Sequence, residues 1–552
     1  MNLVGNILMR KIYKKVLSSI SPDSVKNNTH IINLFSLQTD LRQNPSCQFS
    51  SDDWLLLDRF LLFAHDSNIY SEAPQAIKPE NMLRIAKLLI YAGEKVIKRV
   101  TELVAYRLPL NNETAIFIAA MALTIGNPAT KQITIDRLPL IVENITQLLI
   151  FADFSHHIRG WGRQLRRAIH HWFQVKTTQE LFIDIIQKPY YQGWTLADVL
   201  KLSHVKINDP DKIYLIDWLV FKKNQHDNIE IDHRFPWIKG YKLIRKTQEI
   251  PEVIALIEQY NLPLETIPKT DLRRIKIWEK LIEKLPLKAI LENLGLLSKL
   301  GVIKSDNPAT KLIIRRLLAK DEISNLHPID IFVALENFLR GKGQLYVGYW
   351  SPVWDIYQTL SPAFNLACQY VLPTNKKILL ATCVCNNVPS FRRAYGSLGV
   401  TTNIAAEIIF TYFSLTEKTS LKLFFDETCY STNISLEDQD IANYKKVISP
   451  TPRITGKINS ALPIEYAVKN KIYLDSFIIM IPGNSDKDII KYPAQAIFEY
   501  RKIINSAARV IMVIPQPHNL NKNLVNFDDP LSLIIPCFDS QTLHLITNFM
   551  RG

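Results

Sequence analysis

The sequence has few cysteines, few glycines and no long apolar run. Six of its 552 residues are cysteine, and none belongs to a Cys-x-x-Cys pair or has a histidine at zinc-ligand spacing. We therefore expect reduced core thiols in an intracellular protein. The 17 glycines exclude a collagen-like or low-complexity chain. No window holds about twenty uninterrupted apolar residues, so we expect a soluble protein without a membrane span.

Acidic residues are outnumbered by basic ones. The chain has 66 Lys and Arg against 52 Asp and Glu, which gives a net charge of +14 and a pI near 9.2. Residues 1–350 carry 47 basic and 36 acidic groups, whereas 351–552 carry 19 and 16. We expect a polyanionic partner, either nucleic acid or an anionic membrane, to bind mainly the N-terminal portion. A mildly basic protein without such a partner is the alternative.

The first two thirds of the chain have the pattern of many short helices. From Asp52 to about Gln369, apolar residues recur at three- and four-residue spacing between short Pro, Asn or Gly breaks. The predicted helices include Trp54–His65, Asn81–Tyr91, Glu113–Thr124, Leu138–Phe151, Trp161–Phe173, Glu252–Tyr260, Leu272–Lys284, Leu287–Leu297 and Pro328–Leu339. No repeat of fixed period is visible. The number of helices predicts stacked helical hairpins of the HEAT or armadillo type.

The pattern changes after Pro373, where short apolar runs alternate with helical stretches. The runs that suit buried parallel strands are Ile378–Val384, Leu421–Phe425, Ser476–Ile481 and Ala508–Ile514, and the helices between them include Ala461–Lys469 and Ala494–Ile504. This alternation predicts a doubly wound α/β domain with a parallel sheet. The chain is therefore predicted to be mostly α, with a basic N-terminal extension (1–50), a helical-repeat domain (51–373) and an α/β domain (374–552).

One helical segment concentrates positive charge. At 100° per residue, the apolar residues of the segment share one face: Trp161, Leu165, Ala168, Ile169 and Trp172. The basic residues spread around the other: Arg163, Arg166, Arg167, His170 and His171. Guanidinium groups donate two parallel hydrogen bonds to phosphate, so we predict that Arg163, Arg166 and Arg167, here called the arginine ridge, bind a polyanion. A solvated face balanced by nearby acids is the alternative, but local acids are few (Asp153, Glu180, Asp184).

A second segment, about twenty residues further on, combines a helix start with more basic residues. Thr195 and Asp198 resemble a capping pair at the beginning of a short helix. His204 lies at the far end of that helix, between Lys201 and Lys206. We predict that His204 contacts phosphate or a base, and the alternative is a structural histidine satisfied by a backbone carbonyl.

These two segments resemble the TROVE module of the Ro ribonucleoprotein autoantigen family. The resemblance rests on Trp-Gly-Arg-x-Leu-Arg-x-Ala-Ile-x-x-Trp from Trp161 and on Gly-Trp-x-x-x-Asp-x-Leu-x-Leu-Ser-His from Gly193. Further support comes from Ile277–Leu281, Pro286–Gly295 and His327-Pro328, with Glu499–Lys502 and Cys537–Asp539 near the end. The similarity covers nearly everything from about residue 52 onward.

The resemblance implies both an architecture and a function. It implies a monomeric ring of HEAT-like helical repeats, followed by a von Willebrand factor A-like domain. It also implies a ribonucleoprotein component in RNA quality control, which binds small noncoding Y RNAs on the ring and misfolded RNAs through the central hole. By position, His204 matches the histidine that the family uses for Y RNA. Of the basic residues that the family places before Gly-Trp, only Lys188 remains, beside Tyr190 and Tyr191, which we expect to substitute by stacking.

The α/β domain lacks the cation-binding motif of A-type domains. In the resemblance, Asp-x-Ser-x-Ser is replaced by Cys383–Asn387, the metal-binding Thr by Ile458 and the last Asp by Pro482. Hard divalent cations need oxygen ligands at these positions. We therefore expect no metal and no cofactor, and a domain that serves as scaffold or contacts protein partners.

No motif in the sequence indicates catalysis. Phosphate-binding loops, the dinucleotide fingerprint, the Gly-x-Ser-x-Gly elbow and His-Glu-x-x-His are all missing from it. We therefore predict a non-enzymatic RNA-binding protein, mainly of the cytoplasm, with the nucleus open as a second location. The main alternative is a protein-interaction scaffold that kept the fold with reduced RNA binding, and a nuclease is a distant third.

Overall fold

The structure is a computed structural model that describes residues 51–63, 77, 79–105, 112–222, 233–341, 349–383, 394, 398–417, 419–425, 429–431, 458–481, 489–515 and 529–551. These residues divide into two compact units. The first extends to residue 267, apart from 249–254, which belong to the second together with everything from residue 268. The predicted N-terminal extension, 1–50, lies outside the described residues.

The first unit is helical. Its elements are α1 (Ser51–Phe63), α2 (Pro79–Ala105), α3 (Asn112–Ile125), α4 (Pro128–Ile141), α5 (Ile145–Arg159), α6 (Arg163–Val175), α7 (Thr178–Ile186), strands β1 (Tyr190–Tyr191) and β2 (Trp194–Thr195), α8 (Leu196–Ser203), α9 (Pro210–Leu219), α10 (Pro236–Ile244) and the end of α11 (Ile250–Tyr260). Every residue of α3 from Glu113 to Ile125 is buried, and this helix packs against α2, α4 and α5. It therefore forms the centre of the unit's apolar core.

One predicted helix is wrong. The segment Leu138–Phe151 is not continuous, because α4 ends at Ile141 and α5 begins at Ile145. The backbone at Val142 is extended, and the Asn144 side chain accepts a hydrogen bond from the Gln147 backbone N–H, which caps the new helix. Apolar spacing continues through the break, so periodicity alone does not reveal it.

The second unit joins further helices to a sheet. Its helices before the sheet are α12 (Ile275–Lys284), α13 (Leu287–Leu300), α14 (Pro308–Leu317), α15 (Lys320–Ile323), α16 (Pro328–Leu339) and α17 (Trp354–Cys368). The remaining elements are β3 (Ile378–Cys383), α18 (Thr402–Thr416), β4 (Ser420–Phe425), β5 (Cys429–Ser431), β6 (Ile458–Asn459), α19 (Leu462–Lys469), β7 (Ser476–Met480), β8 (Ile489–Lys491), α20 (Pro493–Ile503), β9 (Arg509–Val513), β10 (Ser532–Ile535) and α21 (Thr542–Arg551).

Within the described ranges, the main sheet has six strands in the order β10-β9-β7-β3-β4-β5. All neighbours are parallel except β5, which is antiparallel to β4. Strands β3 and β7 are buried throughout their length, as the unbroken apolar runs predicted. The predicted fold class, a mostly helical chain with a helical region followed by a parallel-sheet α/β domain, is confirmed.

The second unit contains a helix and a strand that the sequence patterns did not predict, namely helix α18 and strand β10. Of the residues that replace the cation motif, Cys383 is buried in β3 and Ile458 is buried in β6, whereas 384–387 and Pro482 lie outside the described residues. None of the described helices is both long enough and apolar enough to cross a bilayer.

Candidate nucleic-acid interface

Helix α6 carries the arginine ridge on its solvent side. Its inward face is fully apolar, with Leu165, Ala168, Ile169, Trp172 and Phe173 buried. Arg163, Arg166 and Arg167 are exposed on the other side. The predicted division of this helix into an apolar face and a basic face is thus observed, although the helix begins at Arg163 and not at Trp161. Trp161 lies in a bend before the N-cap residue Gly162 and is only half-buried.

Buried polar contacts fix the position of α6. The Trp172 indole Nε1 donates to the carbonyl of Val142 at 2.7 Å. At the same end of α6, the buried Lys212 of α9 donates to the carbonyls of Phe173 at 3.1 Å and Gln174 at 2.9 Å. These are among the last carbonyls of α6, and a cation stabilises such a helix end. The C-terminal end of the ridge helix is therefore held by residues that are distant in sequence.

The three local acids have structural roles. Asp153 accepts a hydrogen bond from the Trp194 indole at 2.8 Å, and Glu180 accepts from the Thr177 backbone N–H at 2.8 Å. Asp184 accepts from the backbone N–H of Ile145 at 3.0 Å. Each acid is thus held by a donor other than a ridge guanidinium.

The ridge itself has neutral partners. Arg167 donates to Gln132 Oε1 at 3.0 Å, across to helix α4. Within the ranges that the structure describes, none of Arg163, Arg166 and Arg167 forms an ion pair with a carboxylate. The positive charge of the ridge is therefore not neutralised by described side chains, which favours an external anion over a balanced surface.

A two-stranded hairpin follows α7 and presents one tyrosine to solvent. Strands β1 and β2 are antiparallel, and the turn between them has positive φ at Gln192 (56°) and Gly193 (92°), as a tight hairpin requires. Tyr190 is 65% exposed, whereas Tyr191 is only 9% exposed. Of the two tyrosines predicted to stack on RNA, Tyr190 is accessible and Tyr191 belongs to the core, so the prediction is wrong for Tyr191.

Helix α8 begins with the predicted capping pair. The Thr195 side chain accepts from the Asp198 backbone N–H, and the Asp198 carboxylate accepts from the Thr195 backbone N–H at 3.0 Å. His204 ends the helix in the left-handed conformation, with φ 49° and ψ 45°. Its side chain is exposed, so His204 is not a core histidine. Lys201 and Lys206 are exposed on either side of it.

The fold brings most of the predicted site residues onto neighbouring elements. Helix α8 packs against both α5 and α6, so Lys201 and His204 lie on the helix next to the ridge. His170 is half-buried on α6, with its Nε2 2.9 Å from the Gln174 amide nitrogen. Lys188 is exposed and precedes the hairpin, which packs against α5. The structure thus groups α6 with α8, whereas Lys188 lies between α7 and the hairpin.

An aromatic cluster lies next to these elements and was not predicted. The rings of His156, Trp161 and Trp194 are in mutual contact, with centroids 5.4–6.2 Å apart. Burial, together with the neighbouring His157, lowers the pKa of the His156 imidazole. The Trp-Gly and Gly-Trp dipeptides contain two of these rings. Because Trp161 and Trp194 are 33 residues apart, their contact could not be predicted from the sequence. The cluster anchors the hairpin to the start of α6.

No group of three or more metal-ligating side chains occurs among the residues whose positions are described. Cys383 and Ile458, which replace two of the expected cation ligands, are buried and offer no hard oxygen donor. The lack of a cation site at the sheet edge stays a prediction, because the other loops of that edge lie outside the described residues.

Comparisons with known proteins agree with this architecture. The TROVE domain model matches residues 85–345, and the Ro60 vWA domain model matches residues 377–550. The chain is 25% identical over 514 residues to a Deinococcus radiodurans protein named RNA-binding protein RO60, covering 91% of this chain and 94% of that protein. A Caenorhabditis elegans protein of the same name is 22% identical, with 91% and 89% covered.

The fold is also similar to a solved structure. The crystal structure of the Deinococcus radiodurans RO (RSR) protein superimposes with a TM-score of 0.77 at 23% sequence identity. The match covers 91% of this chain and 99% of that one. At this level of identity the likeness concerns the fold, in both the helical region and the sheet domain.

Proposed function

Because this chain belongs to the family in which a TROVE domain is followed by a Ro60 vWA domain, we propose that it is an RNA-binding protein of the Ro type. Its ligands are small noncoding, Y-like RNAs and misfolded RNAs, and its role is that of a ribonucleoprotein component in RNA quality control. Two relatives that match nearly its whole length are named as RNA-binding proteins, which supports this proposal.

The observation that carries the proposal is the arginine ridge on α6. Three guanidinium groups are exposed along one helix whose opposite face is entirely buried, and described carboxylates do not neutralise them. Arginine forks match the geometry of phosphate oxygens. Phosphate contacts supply most of the affinity of RNA-binding surfaces and little of their sequence preference. The ridge therefore serves as the surface on which the RNA backbone is held.

The residues around the ridge suit a second type of contact. His204 and Tyr190 are exposed, and each can stack on or hydrogen-bond to an unpaired base. Lys201 and Lys206 flank His204 and add positive charge on α8. We assign phosphate contacts to the ridge and to these lysines, and base contacts to His204 and Tyr190.

The rival proposal is a protein-interaction scaffold with reduced RNA affinity. It is favoured by the single basic residue, Lys188, that precedes the hairpin, and by two exposed apolar side chains on α20, Phe498 and Ile503. Exposed apolar residues on one helix suit a protein partner. The two proposals differ in whether RNA accompanies the protein in cells.

Ultraviolet crosslinking in cells, followed by purification and sequencing of the attached RNA, tests the proposal. We expect enrichment of one or a few small noncoding RNAs together with fragments of misfolded RNA. Peptides crosslinked to RNA should map to α6 and α8. Recovery of protein partners without any enriched RNA would favour the scaffold and contradict the proposal.

A further inference from the structure

A polar cavity lies in the first unit, lined by residues of α3, α5 and α7. Its volume is about 370 Å³, within the range of small-ligand pockets. Two carboxylates and four side-chain amides line it, namely Glu113, Asp184, Asn112, Asn144, Gln147 and Gln187. Asn144, Gln147 and Asp184 each accept a hydrogen bond from a backbone N–H near the start of α5, and these side chains also line the cavity.

The charges in the cavity are balanced by helix ends. Helices α3 and α5 both begin at its wall, at Asn112 and Ile145, and helix N-termini carry partial positive charge. The Ile145 N–H donates to Asp184 at 3.0 Å, and Glu113 is only 6% exposed. Burial raises the pKa of the Asp184 carboxyl. The interior therefore offers hydrogen-bond acceptors and amides without the net positive charge that a phosphate needs.

The cavity adjoins a cation at its rim. Gln187 and Pro189 line it, and Lys188 between them is exposed with a left-handed backbone, φ 51°. A ligand that combines a neutral polar part with one anionic group would fit this arrangement, with the neutral part inside and the anion on Lys188. A nucleotide of single-stranded RNA has this composition.

We propose that this cavity receives an unstacked guanine base of single-stranded RNA, with the adjoining phosphate on Lys188. The proposal rests on the proposed RNA-binding function and adds base identity to it.

Guanine is selected by the pattern of donors on its edge. Its Watson–Crick edge presents two neighbouring N–H donors, from N1 and from the 2-amino group, beside the O6 acceptor. A carboxylate accepts two such parallel hydrogen bonds, and an amide NH₂ or a backbone N–H can donate to O6. Adenine, cytosine and uracil each present only one donor group on this edge. The carboxylates of Glu113 and Asp184, surrounded by amides, therefore match guanine best.

Calorimetric titration of the full-length protein with mononucleotides tests the inference. The probes are guanosine, inosine, adenosine and cytidine 5′-monophosphate, with magnesium chloride and spermidine as cation probes. We expect saturable binding of the guanosine nucleotide. Removal of the 2-amino group in the inosine nucleotide eliminates one of the paired hydrogen bonds and should weaken binding about tenfold. Equal binding of all four nucleotides, or none, would overturn the inference.

Two variants and one control place the nucleotide in this cavity. Glu113→Gln keeps the size of the side chain and removes the carboxylate, and Thr146→Trp blocks the cavity from an exposed position on its lining. Both should abolish guanosine nucleotide binding, and Thr146→Trp should do so without lowering the melting temperature. The control, Glu143→Gln, removes an exposed carboxylate one residue from the lining Asn144 and should bind normally.

The outcomes separate this inference from the proposed function. If magnesium or spermidine binds and its binding is abolished in the variants while nucleotides are not bound, the cavity is a cation site and the inference is wrong. If RNA binds but the guanosine nucleotide does not, the inference alone fails. If the nucleotide binds while replacement of the ridge leaves RNA affinity unchanged, the ridge assignment fails and the cavity assignment stands.

Discussion

Histidines in the two units of this protein occupy opposite environments. In the first unit, His204 ends α8 with its side chain exposed between two lysines. In the second, His327 stacks on His544 with ring centroids 3.9 Å apart, and its Nε2 lies 3.3 Å from the hydroxyl of the buried Tyr412. The first arrangement leaves a side chain open to a ligand, whereas the second uses all of its polar atoms within the protein.

The hydrogen bonds of His327 explain why it stays neutral. Its Nδ1 accepts from the backbone N–H of Ile329 at 3.2 Å and thereby caps α16, so this nitrogen cannot also carry a proton. Burial, the neighbouring His544 and Lys288 lower the pKa of His327 to about 3. Burial also lowers the pKa of His544, against the opposing effect of Asp330. A histidine in a sequence motif thus indicates an anion site only where its side chain is exposed.

The largest effect that separates the two units is expected from the arginine ridge. Replacing Arg163, Arg166 and Arg167 together by alanine should lower the affinity for a structured RNA by roughly 100-fold, because the variant can no longer form three charge-assisted hydrogen bonds to phosphate. The melting temperature should not change, since all three side chains are exposed. Electrophoretic mobility shift and thermal denaturation measure the two quantities.

A charge-matched control accompanies this variant. Alanine at Lys87, Lys95 and Lys98 removes three exposed positive charges from α2. If the control weakens RNA binding as much as the ridge variant does, then total charge and not the ridge determines the affinity. That result would contradict the assignment of phosphate contacts to the ridge.

In contrast to the ridge variant, His327→Ala should lower the stability of the protein and leave its RNA affinity unchanged. The change leaves the Ile329 N–H without its partner, removes one of the hydrogen-bond partners of the Tyr412 hydroxyl and removes a stacked ring, so we expect the free energy of unfolding to fall by about 2 kcal/mol. RNA affinity should be unchanged, because the candidate interface belongs to the first unit. Urea denaturation followed by a binding assay checks both, and a stable variant would show that the histidine network is dispensable.

Acid should destabilise the second unit through the same histidine. The pKa of His327 is about 3 in the folded protein, whereas an imidazole in the unfolded chain titrates near about 6.5. Between these values the unfolded state binds more protons. The free energy of unfolding should therefore fall as the pH falls below about 6.5, by up to about 1.4 kcal/mol per pH unit from this residue. Urea titrations at several pH values should show a weaker dependence in His327→Ala.

The smallest expected effect concerns His204. Its left-handed backbone is costly for any residue except glycine, so His204→Gly should raise the free energy of unfolding by about 0.5–1 kcal/mol. The same variant should bind RNA about fivefold more weakly, because it has no ring to contact the ligand. A variant that is more stable but binds RNA more weakly identifies a residue whose role is to contact the ligand. A variant that is less stable and binds normally would return His204 to a structural role.

Much of the fold could be predicted where residues act locally. Helix α16 was predicted with its observed bounds, because proline follows the capping His327 and the apolar spacing ends with the helix. Strands β3 and β7 were predicted to within a residue by their unbroken apolar runs. Helix α18 was missed because nearly all of its residues are buried. Its sequence therefore has no polar face from which the helical period could be recognised.

The candidate site was predictable only in part, because some of its features depend on contacts between segments that are distant in sequence. The outward direction of the arginine ridge follows from the periodicity of α6 alone. The burial of Tyr191 depends on packing of the hairpin against α5, and the break before α5 depends on the cap at Asn144. The polar cavity joins Glu113, Gln147 and Asp184, which lie more than thirty residues apart in sequence and meet only through tertiary packing. Spacing within one segment carries no information on such contacts.

The salt dependence of RNA binding tests the central claim most directly. If phosphates are held by the arginine ridge, the logarithm of the association constant should fall steeply and linearly with the logarithm of the salt concentration. The slope of the ridge variant should be shallower than that of the unmodified protein by about two to three units, nearly one for each phosphate that the three arginines neutralise. Equal slopes for the two proteins, or a flat response in the unmodified protein, would contradict the account.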